Sequence, residues 1–262
     1  MELRLKDKVV LVSRPREQSE ELKRLLENEG ALVRLQPAIT IEPPESWREV
    51  DDVVQLALNR RFDWILFSSA NGARFVMQRC SELYDNPATL LNRSVKIAVV
   101  GSGTANVARE LGLDVALVPD RFDAEGLVDA LRERLGDQIA RQKFLSFRAN
   151  RGRDVLRERL AELGASIQEV VAYRSLDVER ADATILDELQ RGEIDCAVVT
   201  SSASARALAK ILGNASKNTR WVALSPLTAK AAEDVGIRID GVAEVATSEG
   251  LVDAVSRALA NV

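Results

Sequence analysis

Short runs of β-branched and other apolar residues alternate along this chain with stretches whose apolar positions recur every three or four residues. The runs at 8–13 (KVVLVS), 31–35 (ALVRL), 63–68 (DWILFS), 95–100 (VKIAVV) and 115–118 (VALV) predict five strands. Five more are predicted at 143–147 (KFLSF), 166–171 (SIQEVV), 195–200 (DCAVVT), 220–224 (RWVAL) and 242–246 (VAEVA). Helical spacing fills most gaps, at 16–29, 70–84, 103–111, 123–136, 151–163, 181–191, 202–212, 226–235 and 248–260. Near-continuous apolar strands separated by helices imply parallel sheets covered on both faces, an α/β architecture.

The second half of the pattern echoes the first. DWILFSSANGARF from 63 resembles DCAVVTSSASARAL from 195, and VVGSGTANVARELG, ending at Gly112, resembles ALSPLTAKAAEDVG, ending at Gly236. EGLVDAL from 125 matches EGLVDAV from 249. Order and spacing agree, which points to an internal duplication of a five-stranded unit. Tandem domains would break near 137–142. The longest interruption, however, lies at 36–62 and contains the extended, Pro-containing PAITIEPPES, whose partner in the second half begins AYRSLDVERAD. These two stretches are alternative places for the chain to cross between lobes. Periodicity leaves both arrangements open.

The chain has 262 residues, enough for about two domains. Its net charge of −4, with no basic tract, argues against nucleic acid as a partner. It contains no histidine, which excludes histidine triads, histidine metal sites and histidine acid–base chemistry. Cys80 falls in a helical pattern and Cys196 in a strand pattern, so both read as core thiols rather than a disulfide framework, in keeping with a reducing cytoplasm. No run approaches about 20 apolar residues, so neither a secretion signal nor a membrane span is expected, and a cytoplasmic protein is.

The turn at 101–106 looks like a dinucleotide loop, yet the last position of the fingerprint is Asn106 instead of glycine. Asp120 follows a proline and opens the next helix, and the corresponding stretch at 225–230 (SPLTAK) has neither glycine. What the two copies share is Thr-Ala at a helix mouth: Thr104–Ala105 and Thr228–Ala229. Hydroxyls and arginines recur after other strands: Ser13 and Arg14, Ser68 and Ser69, Arg148, and Thr200, Ser201 and Ser202. Helix capping accounts for part of this pattern. The carboxyl ends of parallel strands are also where such sheets bind ligands, and helix N-termini suit anions. Two lobes offering several such sites suit a ligand with many separated negative groups.

In their order, LVSRP, ILFSSANGARF, VVGSGTA, SFRANRGRDVL, VVAYRS, VVTSSASARAL, ALSPLTAKAAEDVG and TSEGLVDAV resemble the uroporphyrinogen-III synthase family over nearly the whole chain. The resemblance implies the exchanged arrangement: lobe one from 1–36 and 176–262, lobe two from 37–175, each a five-stranded parallel sheet with helices on both faces, joined by a two-segment crossover. It implies a cyclising lyase that closes hydroxymethylbilane to uroporphyrinogen III, with loss of water and inversion of the last pyrrole ring, in a cleft between the lobes. It further implies no cofactor and no metal, a monomer, a linear tetrapyrrole substrate and transient contact with hydroxymethylbilane synthase.

Carried over by position, the family's catalytic tyrosine matches Tyr173. Substrate contacts match Arg14, Ser68, Ser69, Gly101, Ser102, Thr104, Arg148, Arg153, Ser201, Ser202, Ser225 and Thr228. Arg151 fits the motif less well, and Ser-Pro, frequent in the family, is replaced by Ser69–Ala70 and Ser201–Ser202. Two other readings stand beside this one: a non-catalytic module binding a tetrapyrrole or polycarboxylate, and a nucleotide-dependent oxidoreductase.

Overall fold

The computed structural model describes residues 3–15 and 18–260. The chain begins with β1 (Val9–Val12), α1 (Glu20–Asn28), β2 (Leu32–Leu35) and β3 (Ile39–Glu42). It continues through α2 (Arg48–Leu58), β4 (Trp64–Phe67), α3 (Ala70–Leu83), α4 (Pro87–Ser94), β5 (Lys96–Val99), α5 (Ser102–Glu110), β6 (Val115–Leu117) and α6 (Ala124–Leu135). Next come β7 (Lys143–Ala149), α7 (Val155–Glu162), β8 (Ser166–Asp177), α8 (Ala183–Gln190), β9 (Cys196–Val199) and α9 (Ser202–Leu212). The last elements are β10 (Arg220–Ala223), α10 (Pro226–Glu233), β11 (Gly241–Val242) and α11 (Ser248–Ala260). Two units result: Met1–Ile41 with Leu176–Val262, and Glu42–Ser175.

The first unit carries a parallel sheet ordered β11-β10-β9-β1-β2. Because strand side chains alternate, its apolar runs feed two cores. Val10, Val12, Cys196, Val198 and Val222 pack with Leu22 and Leu26 of α1 and Leu251 and Val255 of α11. Leu11, Ala197, Val199, Trp221 and Ala223 pack on the other side with Leu189, Leu208 and Ala232 of α8, α9 and α10. Burial on both faces is why these strands read as unbroken apolar runs.

The second sheet is ordered β3-β8-β7-β4-β5-β6, and all of it but most of β3 and the last residues of β8 belongs to the second unit. On one face Trp64, Leu66, Ala98 and Phe144 pack with Leu127 and Leu131 of α6 and Leu156 and Leu160 of α7. Phe67 and Phe147 alternate to the opposite face, stacked with centroids 5.7 Å apart. All four large rings are fully buried, each worth about 1.5–3 kcal/mol.

The second sheet therefore has a sixth strand beyond the five expected. β8 runs on to Asp177 instead of ending at 171, and β3 pairs with its far end. Val178 N–H donates to Ala38 O at 3.0 Å, and Arg174 reaches Glu42 at 2.9 Å and Pro43 O at 3.1 Å. The first unit gives way to the second after Ile41, not after 36, because Ala38 and Ile39 are buried in the first unit's core.

The stretch 36–62 is also not a long extended linker. It contains α2, which buries Val50, Val53, Val54 and Ala57; this helix and α4 went unpredicted. Trp47 stands at the N-cap of α2 without a side-chain cap, but Ser46 accepts from Arg48 N–H at 3.2 Å, and Ser46 with Glu49 has the spacing of a helix start. α7 starts at Val155 rather than 151, and the strand expected at 242–246 shrinks to Gly241–Val242. Positions 16 and 17 of the helix expected at 16–29 lie outside the described residues, and α1 runs from Glu20.

Candidate active site

Each unit gathers hydroxyls at the carboxyl edge of its parallel strands. Ser69 follows β4 and caps α3, its Oγ accepting from Gly72 N–H at 3.1 Å. Ser201 follows β9 and caps α9, accepting from Ser204 N–H at 3.0 Å. Ser225 follows β10 and caps α10, accepting from Thr228 N–H at 3.3 Å. These residues occupy matching places in the duplicated strand-turn-helix unit.

In each case the capping oxygen has a second hydroxyl partner. Ser201 Oγ lies 2.8 Å from Ser204 Oγ, and Ser225 Oγ lies 3.0 Å from Thr228 Oγ1. The residue three beyond Ser69 is Gly72, which has no hydroxyl. Its place is taken by Tyr173, whose phenol lies 3.0 Å from Ser69 Oγ. Two hydroxyls hold two hydrogens and use one between them, so each pair retains one hydrogen to donate outward.

A register slip brings Tyr173 to Ser69. β7 and β8 pair in step from Lys143↔Ser166 to Arg148↔Val171, and then Ala149 pairs with Tyr173. Residues opposite one another in a parallel pair share a face, so an unbroken register would set Ala172 on the α3 face and Tyr173 on the α7 face. The extra residue moves Tyr173 to the face of Phe147 and α3, as bulges commonly re-aim a side chain. There its ring stacks on Phe75 at 5.9 Å with planes 7° apart, and Phe75 in turn lies 6.5 Å from Trp47.

Tyr173 is 7% exposed. Burial pushes its phenol pKa up, while the hydrogen bond with Ser69 and the charge of Arg151 act the other way. Arg151 donates to Ser175 Oγ at 2.9 Å, and Asn150 accepts from Ser175 N–H at 2.8 Å. Arg151, the weakest of the arginine assignments from sequence, is thus the one that acts on the phenol. Phe75 was missed; its ring belongs to an ordinary helical stripe, and nothing in the local sequence announces its partner.

The other arginines are held by their own chain. Arg148 pairs with Asp154 and, at 3.1 Å, with Glu169, and it donates to Gly152 O at 3.3 Å. These bonds tie the 150–154 loop to β7 and β8. Arg153 is exposed and pairs with Glu125 at 2.8 Å. Arg14 is half-buried and donates to Ser248 Oγ at 3.4 Å; burial lowers its pKa and the charge of Glu21 opposes this.

Ser68 Oγ reaches Phe147 O at 3.5 Å, Ser202 begins α9, and Thr228 is buried in the first turn of α10. Gly101 caps α5 without a side chain, Ser102 is exposed, and Thr104 is buried one turn in. The glycine at 101 answers to packing: a Cβ there would stand 2.9 Å from Cβ of Phe122, whose ring is 59% exposed beside the turn. Among the described residues no group of three or more Cys, Asp or Glu side chains is placed to hold a metal ion, and no helix is long and apolar enough to cross a membrane.

Comparison with known proteins gives a consistent result. The family profile described as uroporphyrinogen-III synthase HemD (HEM4) matches residues 20–253. A relative in Methanothermobacter thermautotrophicus that carries a uroporphyrinogen-III synthase name is 32% identical over 239 residues, 86% of this chain and 89% of that one. The uroporphyrinogen-III synthase of Chlorobaculum parvum is 27% identical over 256 residues, 96% of this chain and 99% of that one. In fold, the chain resembles a uroporphyrinogen III synthase crystal structure from Thermus thermophilus, with a TM-score of 0.66 at 20% identity, covering 97% of this chain and 100% of that one. A uroporphyrinogen-III synthetase from Helicobacter pylori gives 0.65 at 14% identity, covering 96% and 99%.

Proposed function

The chain belongs to the uroporphyrinogen-III synthase family, and from that premise we propose that it cyclises hydroxymethylbilane to uroporphyrinogen III, as a lyase, with Tyr173 as the acid that assists the leaving hydroxyl. The single observation that carries this reading is the buried phenol of Tyr173 set 3.0 Å from Ser69, at the strand edge where helix mouths also gather.

The substrate brings most of the chemistry. The lone pair of the terminal pyrrole nitrogen expels the hydroxyl, and the electron pair of the breaking C–O bond leaves with oxygen. That oxygen takes the proton of Tyr173 and departs as water, leaving an azafulvene cation on the ring. Closure follows by way of a spirocyclic intermediate. The proton released as the pyrrole regains aromaticity restores the phenol. A phenol is protonated at neutral pH, and burial raises its pKa further, so Tyr173 enters the step as a donor.

The protein's larger task is orientation. Undirected closure yields the isomer with the last ring unflipped, so the bilane must be held folded while it reacts. Each unit has helix mouths that suit a carboxylate, those capped by Ser69 and Gly101 in the second and by Ser201 and Ser225 in the first, because free N–H groups and the positive helix end favour anions. The outward hydrogens of the Ser201–Ser204 and Ser225–Thr228 pairs add donors at the same mouths. The reading includes a monomer acting in the cytoplasm on a small-molecule substrate, without a cofactor.

The test is to incubate the protein with freshly prepared hydroxymethylbilane, oxidise the products and separate the uroporphyrin isomers. Isomer III in excess is expected. Isomer I alone, at the spontaneous rate, overturns the proposal.

A further inference from the structure

We infer that Ser69 is a positioning residue that donates its hydroxyl hydrogen to the oxygen of Tyr173, so that the phenol's own hydrogen is directed to the substrate; this deepens the reading above and rests on it.

The argument starts from the oxygen of Ser69. One lone pair is taken by Gly72 N–H at 3.1 Å, and the positive end of α3 lies behind it. A hydroxyl polarised in this way is a better donor toward a second partner. That partner is Tyr173 at 3.0 Å. Were the phenol to donate instead, its hydrogen would point at Ser69 and be lost to the reaction. With Ser69 donating, the phenolic oxygen accepts one bond and retains its own hydrogen for another acceptor.

The ring cannot easily turn away from this arrangement. It is stacked on Phe75, and its backbone is fixed by the bulge: Asn150 N–H donates to Tyr173 O at 3.1 Å. Donation from Ser69 also stabilises the phenolate left when the proton departs, and so offsets part of the burial effect. The matching serines, 201 and 225, have hydroxyls of their own helix as partners, and no phenol. The duplicated cap has thus been given a separate task in the second unit.

Glycine caps a helix nearly as well as serine but has no hydroxyl, and threonine retains both roles. Ser69→Gly is therefore expected to lower kcat by about tenfold with KM little changed, and Ser69→Thr to restore most of it. The chain has two tyrosines, so a Tyr84→Phe background leaves Tyr173 as the one phenol to titrate by ultraviolet absorbance. In that background Ser69→Gly is expected to move the titration midpoint to higher pH, and the alkaline limb of the kcat profile with it.

An unchanged midpoint overturns the inference, whatever happens to kcat. So does a rise in KM alone, which would make Ser69 a ligand contact. If wild type forms no isomer III the functional reading falls, while the phenol titration still decides whether Ser69 donates. If Ser69→Gly does not fold, the threonine variant carries the test: it must retain the wild-type midpoint and kcat, and a shifted midpoint or lost turnover overturns the inference.

Discussion

Gly126 and Gly250 hold the same place in the two copies of the internal repeat, each pressed against the carbonyl of the residue five positions earlier. A Cβ on Gly126 would stand 2.1 Å from Arg121 O, and one on Gly250 would stand 2.2 Å from Val245 O. Each N–H also completes a cap, to Asp123 Oδ1 at 2.6 Å and to Thr247 Oγ1 at 3.1 Å. The loop before α6 and the loop before α11 thus fold back on the first helical turn by the same device.

Replacing either glycine by alanine forces backbone apart, because the opposing atom is a carbonyl and not a movable side-chain tip. Gly126→Ala and Gly250→Ala are each expected to lose about 2–3 kcal/mol in urea unfolding. A loss below about half a kcal/mol at either site would mean that the loop relaxes freely.

Tyr173→Phe removes one oxygen and leaves the ring stacked on Phe75. Stability is expected to change by no more than about 1 kcal/mol, while kcat for isomer III falls by about a hundredfold. Comparison of the thermal midpoint with the isomer-resolved rate separates these effects. Unchanged turnover would demote Tyr173 to packing.

Arg148 and Arg153 look alike in sequence and differ in the fold. The Arg148 and Glu169 side chains are 19% and 14% exposed, so Arg148→Ala leaves the largely buried Glu169 with only the longer contact to Arg157, at 3.8 Å, and is expected to cost about 2 kcal/mol. Arg153, 70% exposed, pairs with Glu125 at the surface, and Arg153→Ala is expected to cost less than about 0.5 kcal/mol. Parallel denaturation of the two variants checks the contrast.

Several depressed carboxylates make the fold acid-sensitive, Asp123 and Glu125 among them. The hydrogen bond from Arg148 holds Asp154 below its ordinary value, and that from Arg4 does the same for Glu29. A folded-state value below the unfolded one adds stability at higher pH, and that stability is lost as pH falls through the folded value. The melting temperature is therefore expected to decline below about pH 4, and the decline to be shallower in Asp154→Asn. Both groups are partly exposed, so added salt should weaken the effect. An acid limb of the same slope in the Asn variant would assign the loss to other groups.

The sequence by itself determined the strand-helix alternation, the duplication, and the serines that cap α3, α9 and α10, because each of these is written in local spacing: apolar runs buried on two faces, and a hydroxyl just past a strand end. The missed helix α2 was legible too, through Val50, Val53, Val54 and Ala57 and through the Ser46-x-x-Glu49 spacing at its start. Only the tertiary structure decided that Ile39–Glu42 joins the second sheet, since its partner strand lies more than a hundred residues further along the chain. It also decided that Arg148 is held by Asp154 and Glu169, a choice among many carboxylates that spacing does not make. The same holds for Tyr173. One extra residue in β8 turns its side chain from one face of the sheet to the other, and a register between two strands is a property of the pair that neither strand carries alone.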